Sequence, residues 1–243
     1  MTALTPVQQA ARDAYTAGLN IFPPCEDGSK APSGKWKEYQ HKRTTPAQCK
    51  AWWGPRTGLG AFCGRISRDL ELFEFDDRSC YDAFKALARE TALSALVDRL
   101  EAGYCEETPG GGVHWLYRCS AVSGNTKLAT RPKRPDERDP ASPDDETKVL
   151  IETRGEGGYV VLAPSNGTVH PTGRPYVLRS GGFASIPTLT PDERRELHNL
   201  AFFFFAYQTT SFSFTSRAVA GGPAVLPFPT NLFPGALVAV VWR

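Results

Sequence analysis

The segment LELFEFDD sets Glu74 and Asp76 two positions apart in an apolar run that reads as a strand, so both carboxylates point to one face. Two acids on such a face are costly to bury unless something cationic neutralises them, and divalent metal ions would do so. The plainer alternative is a strand end reaching solvent, with Asp76 and Asp77 opening a turn before a helix. Further on, ETPGGGVHWLYR places Gly110, Gly111 and Gly112 just ahead of His114. Glycines let the backbone come close to another group, and a histidine just inside the following strand can donate to a phosphate or bind a metal. An ordinary hairpin with a satisfied core histidine would read the same way. In VLIETRGEGGYVV, alternation puts Leu150, Glu152 and Arg154 on one face, offering a carboxylate and a guanidinium to the same side. A mutual Glu152 to Arg154 contact is the simpler reading of that pair. Together the segments supply three carboxylates, a histidine and an arginine, each amid apolar neighbours. Three acids around two metal ions form the set that nucleotidyl transfer requires, one ion activating the attacking hydroxyl and both stabilising the transition state. On that reading Glu74, Asp76 and Glu152 must converge in one cleft and share ions about 3.5 to 4 Å apart, with Glu152 and Asp76 on the same sheet face.

Positioning these groups falls to a mixture of strands and helices. Three times the chain writes Thr-Pro-x-Gln/Glu, at Thr5, Thr45 and Thr190, and each reads as a helix start. The first helix is expected to end near Ala17, ahead of Gly18. Residues 59–76 give two apolar runs that read as neighbouring strands, followed by helices over 79–89 and 91–102. A strand pair is expected over 103–119, and 149–165 reads as two strands joined by a glycine turn. Residues 131–148, with five basic and six acidic side chains, read as a solvated surface insertion. The fold class expected is α+β, a mixed sheet flanked by helices, over residues 1–200.

With 243 residues, 41% of them hydrophobic, the chain has ample material for one core and is not wholly disordered. A net charge of +2 excludes a surface uniformly suited to polyanions, so any nucleic-acid contact must be local, notably around residues 30–43. The six cysteines include no CxxC, which removes zinc-ribbon spacing. The N-terminal segment has neither a basic nor an apolar region of the secretory type, so a cytoplasmic location with reduced thiols is expected. Residues 201–243 contain no Asp, Glu or Lys but hold eight of the fourteen phenylalanines. They read as an atypical apolar tail, aberrant or disordered in character, whose unbroken end ALVAVVW is far short of the roughly 20 residues a membrane helix needs. No membrane partner is expected, and deletion of 201–243 is expected to leave the fold and the site intact.

The succession EFD, GGGVH, IETRGEGGYVVLAPS and HPTGRPY resembles the motifs of the archaeo-eukaryotic primase superfamily, specifically the N-terminal bifunctional primase/polymerase domain of phage and plasmid replication proteins. Upstream, GLNIFPPCEDGSKAPSGKW and TGLGAFCGRISRDLELFEFDD resemble that family's opening pattern, so the likeness covers roughly residues 17–180. The resemblance implies a primase-like catalytic domain with DNA primase and DNA polymerase activity and Mg2+ or Mn2+ as cofactor. It implies Glu74, Asp76 and Glu152 as the catalytic and metal-binding acids and His114 as nucleotide-binding, with Arg154 and Lys30 able to contact phosphates. Glu74 stands where the family often has aspartate, one methylene shorter. The partners implied are a single-stranded DNA template, nucleoside triphosphates and a separate helicase-type ATPase, since this chain has no GxxxxGK[ST] loop. Two other readings use similar residues: a catalytically inactive nucleotide- or DNA-binding remnant, and a metal-dependent nuclease. A rolling-circle nuclease is disfavoured because HWLYR holds a single histidine.

Overall fold

The computed structural model describes residues 3–54, 56–142 and 144–214, with side chains through residue 204; what was expected of 215–243 lies outside them. All three Thr-Pro starts open helices: α1 (Pro6–Thr16), α2 (Pro46–Trp52) and α5 (Pro191–Phe214). Thr5 and Thr45 each accept from the amide three residues on, and the glutamine there reaches back to the threonine amide. At α5 the Thr190 hydroxyl accepts from Glu193 N at 3.1 Å while the Glu193 carboxylate accepts from Thr190 N at 2.8 Å. Helices α3 (Arg78–Arg89) and α4 (Ser94–Gly103) fill the expected central pair.

Among the described residues nine strands form two sheets, antiparallel at every pairing between strands. The smaller has the order β1-β2-β8, made by Asn20–Phe22, Leu59–Phe62 and Tyr159–Leu162. The larger has the order β6-β7-β3-β5-β4-β9, made by Thr126–Pro132, Thr147–Arg154, Leu70–Phe75, Val113–Arg118, Tyr104–Glu107 and Val177–Gly181. The α+β expectation holds.

The runs over 59–76, expected as neighbouring strands, instead divide between the sheets, and so do the two strands that the expected glycine turn joins, β7 and β8. Between β2 and β3, Gly64 and Leu70 make one isolated bridge, and within the loop it closes Arg68 and Asp69, both at positive φ, turn the chain. Between β7 and β8, the Gly155 backbone is pressed against Ser123 O, where an added Cβ would sit at 1.9 Å. Only glycine lets the chain leave one sheet for the other at that point. The charged segment is also shorter than its composition suggests, because its ends extend β6 and β7.

Alternation along β3 decides what each layer contains. Phe73 and Phe75 face α3, α4 and α5 in the larger core, with Trp115, Tyr117, Leu197 and Phe204. Leu70 and Leu72 face the small sheet and α1, with Ile21, Leu59 and Val160. The helix side also takes in Glu71, fully buried, which accepts from Arg194 Nε at 2.5 Å and Tyr117 Oη at 2.8 Å. That ion pair fastens α5 to the sheet. By the same alternation Glu74 must face the small sheet.

Helix α5 continues past Leu200, and Ala201 and Phe204 lie in the larger core, Phe204 with its ring centroid 5.9 Å from that of Phe84. Phe202 is 51% exposed, so the aromatic run does not enter the core as a block. Phe204→Ala is therefore expected to cost about 3–5 kcal/mol of stability, whereas Phe202→Ala stays within about 0.5 kcal/mol, as measured by denaturant unfolding of the full chain.

Candidate active site

One line of directly opposed residues crosses the larger sheet: Lys127 on β6, Glu152 on β7, Glu74 on β3, His114 on β5, Glu106 on β4 and Leu178 on β9. Opposed residues in antiparallel strands share a face, so three carboxylates and an imidazole stand in a row between the two sheets. Directly opposed like charges repel, and the row persists because cations are interleaved with it. His114 lies between Glu74 and Glu106, its Nδ1 2.7 Å from Glu106 Oε1 and its Nε2 3.6 Å from Glu74 Oε1. Arg154 pairs with Glu152 and keeps its Nε 3.9 Å from Glu74 Oε2.

Glu106 anchors the row. It is fully buried, and its Oε2 accepts from Tyr104 Oη and from Ala163 N, each at 2.7 Å. Its other oxygen holds the imidazole, so the Nε2 side of His114 is turned to Glu74 and the space beside it. Burial by itself would lower the His114 pKa, but the hydrogen bonds and charges of Glu106 and Glu74 raise it to about 9. Burial would likewise raise Glu74, yet the hydrogen bond and charge of His114, then Arg154 and Lys30, bring it down to about 2. Glu152 moves the other way, raised by burial and by the neighbouring Glu74 carboxylate. Near neutrality the row thus holds a firmly ionised Glu74 against a doubly protonated imidazole.

Asp76 lies one residue beyond β3, its backbone N–H donating to Leu150 O at 2.9 Å. Its side chain is exposed and accepts from Lys148 Nζ at 2.8 Å. Asp77 takes the capping role instead, accepting from Cys80 N at the start of α3. Only Asp77 therefore does what a helix-opening turn needs, and Asp76 is left facing the cleft. The glycines before His114 serve this junction. A Cβ on Gly112 would sit 2.3 Å from Phe75 O and 2.9 Å from Asp76 O, so glycine there lets β5 close against the end of β3.

Glu74, Asp76, His114, Arg154 and Lys30 all line one cleft of about 500 Å³. Lys30 comes from the loop after β1, where its backbone is held at φ +60°. Glu152 is not among the residues lining the cleft; it meets the site through Glu74, its cross-strand partner, and through Arg154. Leu150, expected on the face of Glu152, packs into the helix-side core, because the β6 to β7 register passes from Ala129↔Ile151 to Thr130↔Val149 and skips it. His170 and Tyr176, from the HPTGRPY segment, line the cleft as well.

Sequence reasoning missed Glu106, the residue that orients His114. The signal was the alternation in YCEE, which sets Tyr104 and Glu106 on one face of a strand next to that of His114.

Among the described residues no three His, Cys, Asp or Glu side chains are grouped closely enough to hold one metal ion. The chemistry of the donor set nevertheless fits a hard divalent cation: Glu74, Asp76 and Glu152 offer only carboxylate oxygens, the preference of Mg2+ and Mn2+. Each of the three is balanced by a basic side chain of the protein itself. Among the described residues no helix is long and apolar enough to cross a membrane.

Residues 11–193 match the family model described as bifunctional DNA primase/polymerase, N-terminal, and the chain belongs to that family. No curated protein matches the chain. Members of the family are generally metal-dependent.

Because folding raises the His114 pKa from 6.5 to about 9, the stability it contributes is complete below about pH 6.5 and is lost as the pH rises through about 9. Glu106→Gln is expected to move the imidazole titration down towards 6.5 and to flatten that alkaline loss. Imidazole NMR titration and denaturant unfolding across this range check both effects.

Proposed function

We propose that, as a member of this family, the chain transfers nucleotides to a 3′-hydroxyl or an initiating nucleotide under the direction of a single-stranded DNA template, making primers and extending them in replication of the phage or plasmid type. The observation that carries the reading is the row Glu152, Glu74, His114, with Asp76 beside it and Arg154 and Lys30 around the same cleft. Acids for cations and bases for phosphates meet there within one nucleotide-sized space.

The roles follow from charge and position. Glu74 and Asp76, with Glu152 behind them, would hold Mg2+ or Mn2+, and the chemistry supplied there would be a lowered pKa for the attacking hydroxyl and stabilisation of charge on the transferred phosphoryl group. Protonated His114, fixed by Glu106, donates from Nε2 to a phosphate oxygen, as a charge-assisted hydrogen bond. Arg154 and Lys30 neutralise the remaining triphosphate charge. Lys148 and Arg154 balance Asp76 and Glu152 in the ligand-free protein, so a cation held by those acids would compete with these basic side chains.

Two outcomes test the proposal. In a primer-synthesis and extension assay on single-stranded template, with Mg2+ and Mn2+ supplied separately, the wild-type chain is expected to make extended products and Asp76→Asn to lose at least about 100-fold in rate. Strand cleavage, or binding without turnover, would replace the proposal with a nuclease or an inactive remnant. His114→Ala is expected to weaken nucleoside triphosphate binding more than Mn2+ binding, as read by separate titrations. Unchanged nucleotide affinity in the folded variant would return His114 to a packing role.

A further inference from the structure

The cleft has an aromatic wall that the acid and base roles leave unused. Trp36, half-buried, lines it, with its ring stacked on Phe62 at a centroid distance of 6.1 Å and an interplanar angle of 25°. Phe62 is itself wedged against Phe22 and Tyr159, at 5.6 and 5.1 Å. The segment carrying Trp36 is tied to the cleft by Gln40, whose amide donates to Gly157 O at 2.7 Å. One face of the indole is thus backed by a rigid cluster, while the residue keeps exposed surface at the cleft. Lys35 and Lys37 flank it and are exposed. The nearby acid Glu38 is balanced by Lys42 at 3.1 Å, so it does not cancel their charge.

We infer that Trp36 is a stacking platform for a base of the single-stranded template, with Lys35 and Lys37 guiding the strand's backbone across it into the cleft. The inference rests on reading the cleft as a nucleotidyl-transfer site. An aromatic face with lysines beside it is what sequence-tolerant single-strand binding uses, the ring taking the base and the cations following the phosphates. The template is favoured over the incoming nucleotide because Lys35 and Lys37 do not line the cleft, whereas Lys30, Arg154 and His114 do. Charge extending beyond the cleft suits a polyanion that continues over the surface, not a ligand enclosed within it.

The test measures equilibrium binding of a labelled short oligothymidylate and, separately, of a non-hydrolysable nucleoside triphosphate analogue with Mn2+, using the full chain. Trp36→Ala and Trp36→Leu are expected to weaken oligonucleotide binding at least about fivefold while leaving the triphosphate affinity within twofold, and Trp36→Phe to retain most of the oligonucleotide affinity. Leucine keeps an apolar contact with Phe62 but lacks a stacking face, so its failure to rescue isolates stacking from packing. The Lys35→Gln, Lys37→Gln pair is expected to reduce the slope of log K against log salt by about 0.7 per lysine, whereas the tryptophan variants leave that slope unchanged. Equal weakening of both ligands by Trp36→Leu would assign the indole to the incoming nucleotide and overturn the template assignment. Unchanged oligonucleotide affinity in Trp36→Ala would overturn the platform while leaving the transfer site standing. A wild-type chain that binds neither ligand would remove both readings.

Discussion

A carboxylate row across the middle of a sheet can be buried only if its charge is answered, and in this protein the answer begins with one hydrogen bond, between Glu106 and His114. Glu106 has no exposure at all, and an unpaired ionised carboxylate in such a place would be prohibitively costly. Tyr104 and the Ala163 amide satisfy one of its oxygens, and the imidazolium satisfies the other. The charge held on His114 then permits Glu74 to stay ionised at the next position of the row, and Arg154 extends the compensation to Glu152. Because Ala163 follows β8, the same carboxylate also ties the small sheet to the large one across the site. One side chain, through its two oxygens, thus both ties the small sheet to the large one and fixes the charge state of the cleft.

The opposite face of the sheet solves the same electrostatic problem with a different result. Glu71, three residues before Glu74, is equally buried, and Arg194 from α5 grips both of its oxygens while Tyr117 donates to one. Neighbouring His198 is pushed down by burial and by Arg194 to a pKa of about 4, and so stays neutral near pH 7. In that network both oxygens of Glu71 are taken by donors of the protein itself, and it locks a helix in place. The Glu74 row is open, with Nε2 of His114 3.6 Å from its carboxylate partner and a cleft beside it. Burial and pairing alone do not mark a site; access does.

Much of this was legible in the sequence because its signals were local. The threonine caps rest on contacts within a few residues and the apolar alternation of β3 on strand periodicity, and those elements formed where expected. Same-face placement of Glu74 with His114 and Glu152 depends only on strand periodicity plus antiparallel pairing, and Glu74 is the direct cross-strand partner of both. What was not legible is non-local. That β2 and β3 part company, as do β7 and β8, is decided by close backbone approaches such as Gly155 against Ser123, which composition does not announce. Leu150 left its expected face because of a register skip, and Glu106 escaped notice because its importance lies in a partner eight residues away on the next strand.

The central claim is that Glu74 and Asp76 form a cation site whose charge is balanced by basic side chains in the protein's ligand-free state. Titration of the full chain with Mn2+, followed by the electron paramagnetic resonance of the free ion, tests this without requiring turnover. The account predicts saturable binding to the wild-type chain, weakened at least about tenfold by Glu74→Gln and by Asp76→Asn, with both variants folded. Binding of equal strength and stoichiometry in the two variants would contradict it, because the ion would then be held by groups other than the acids of the row.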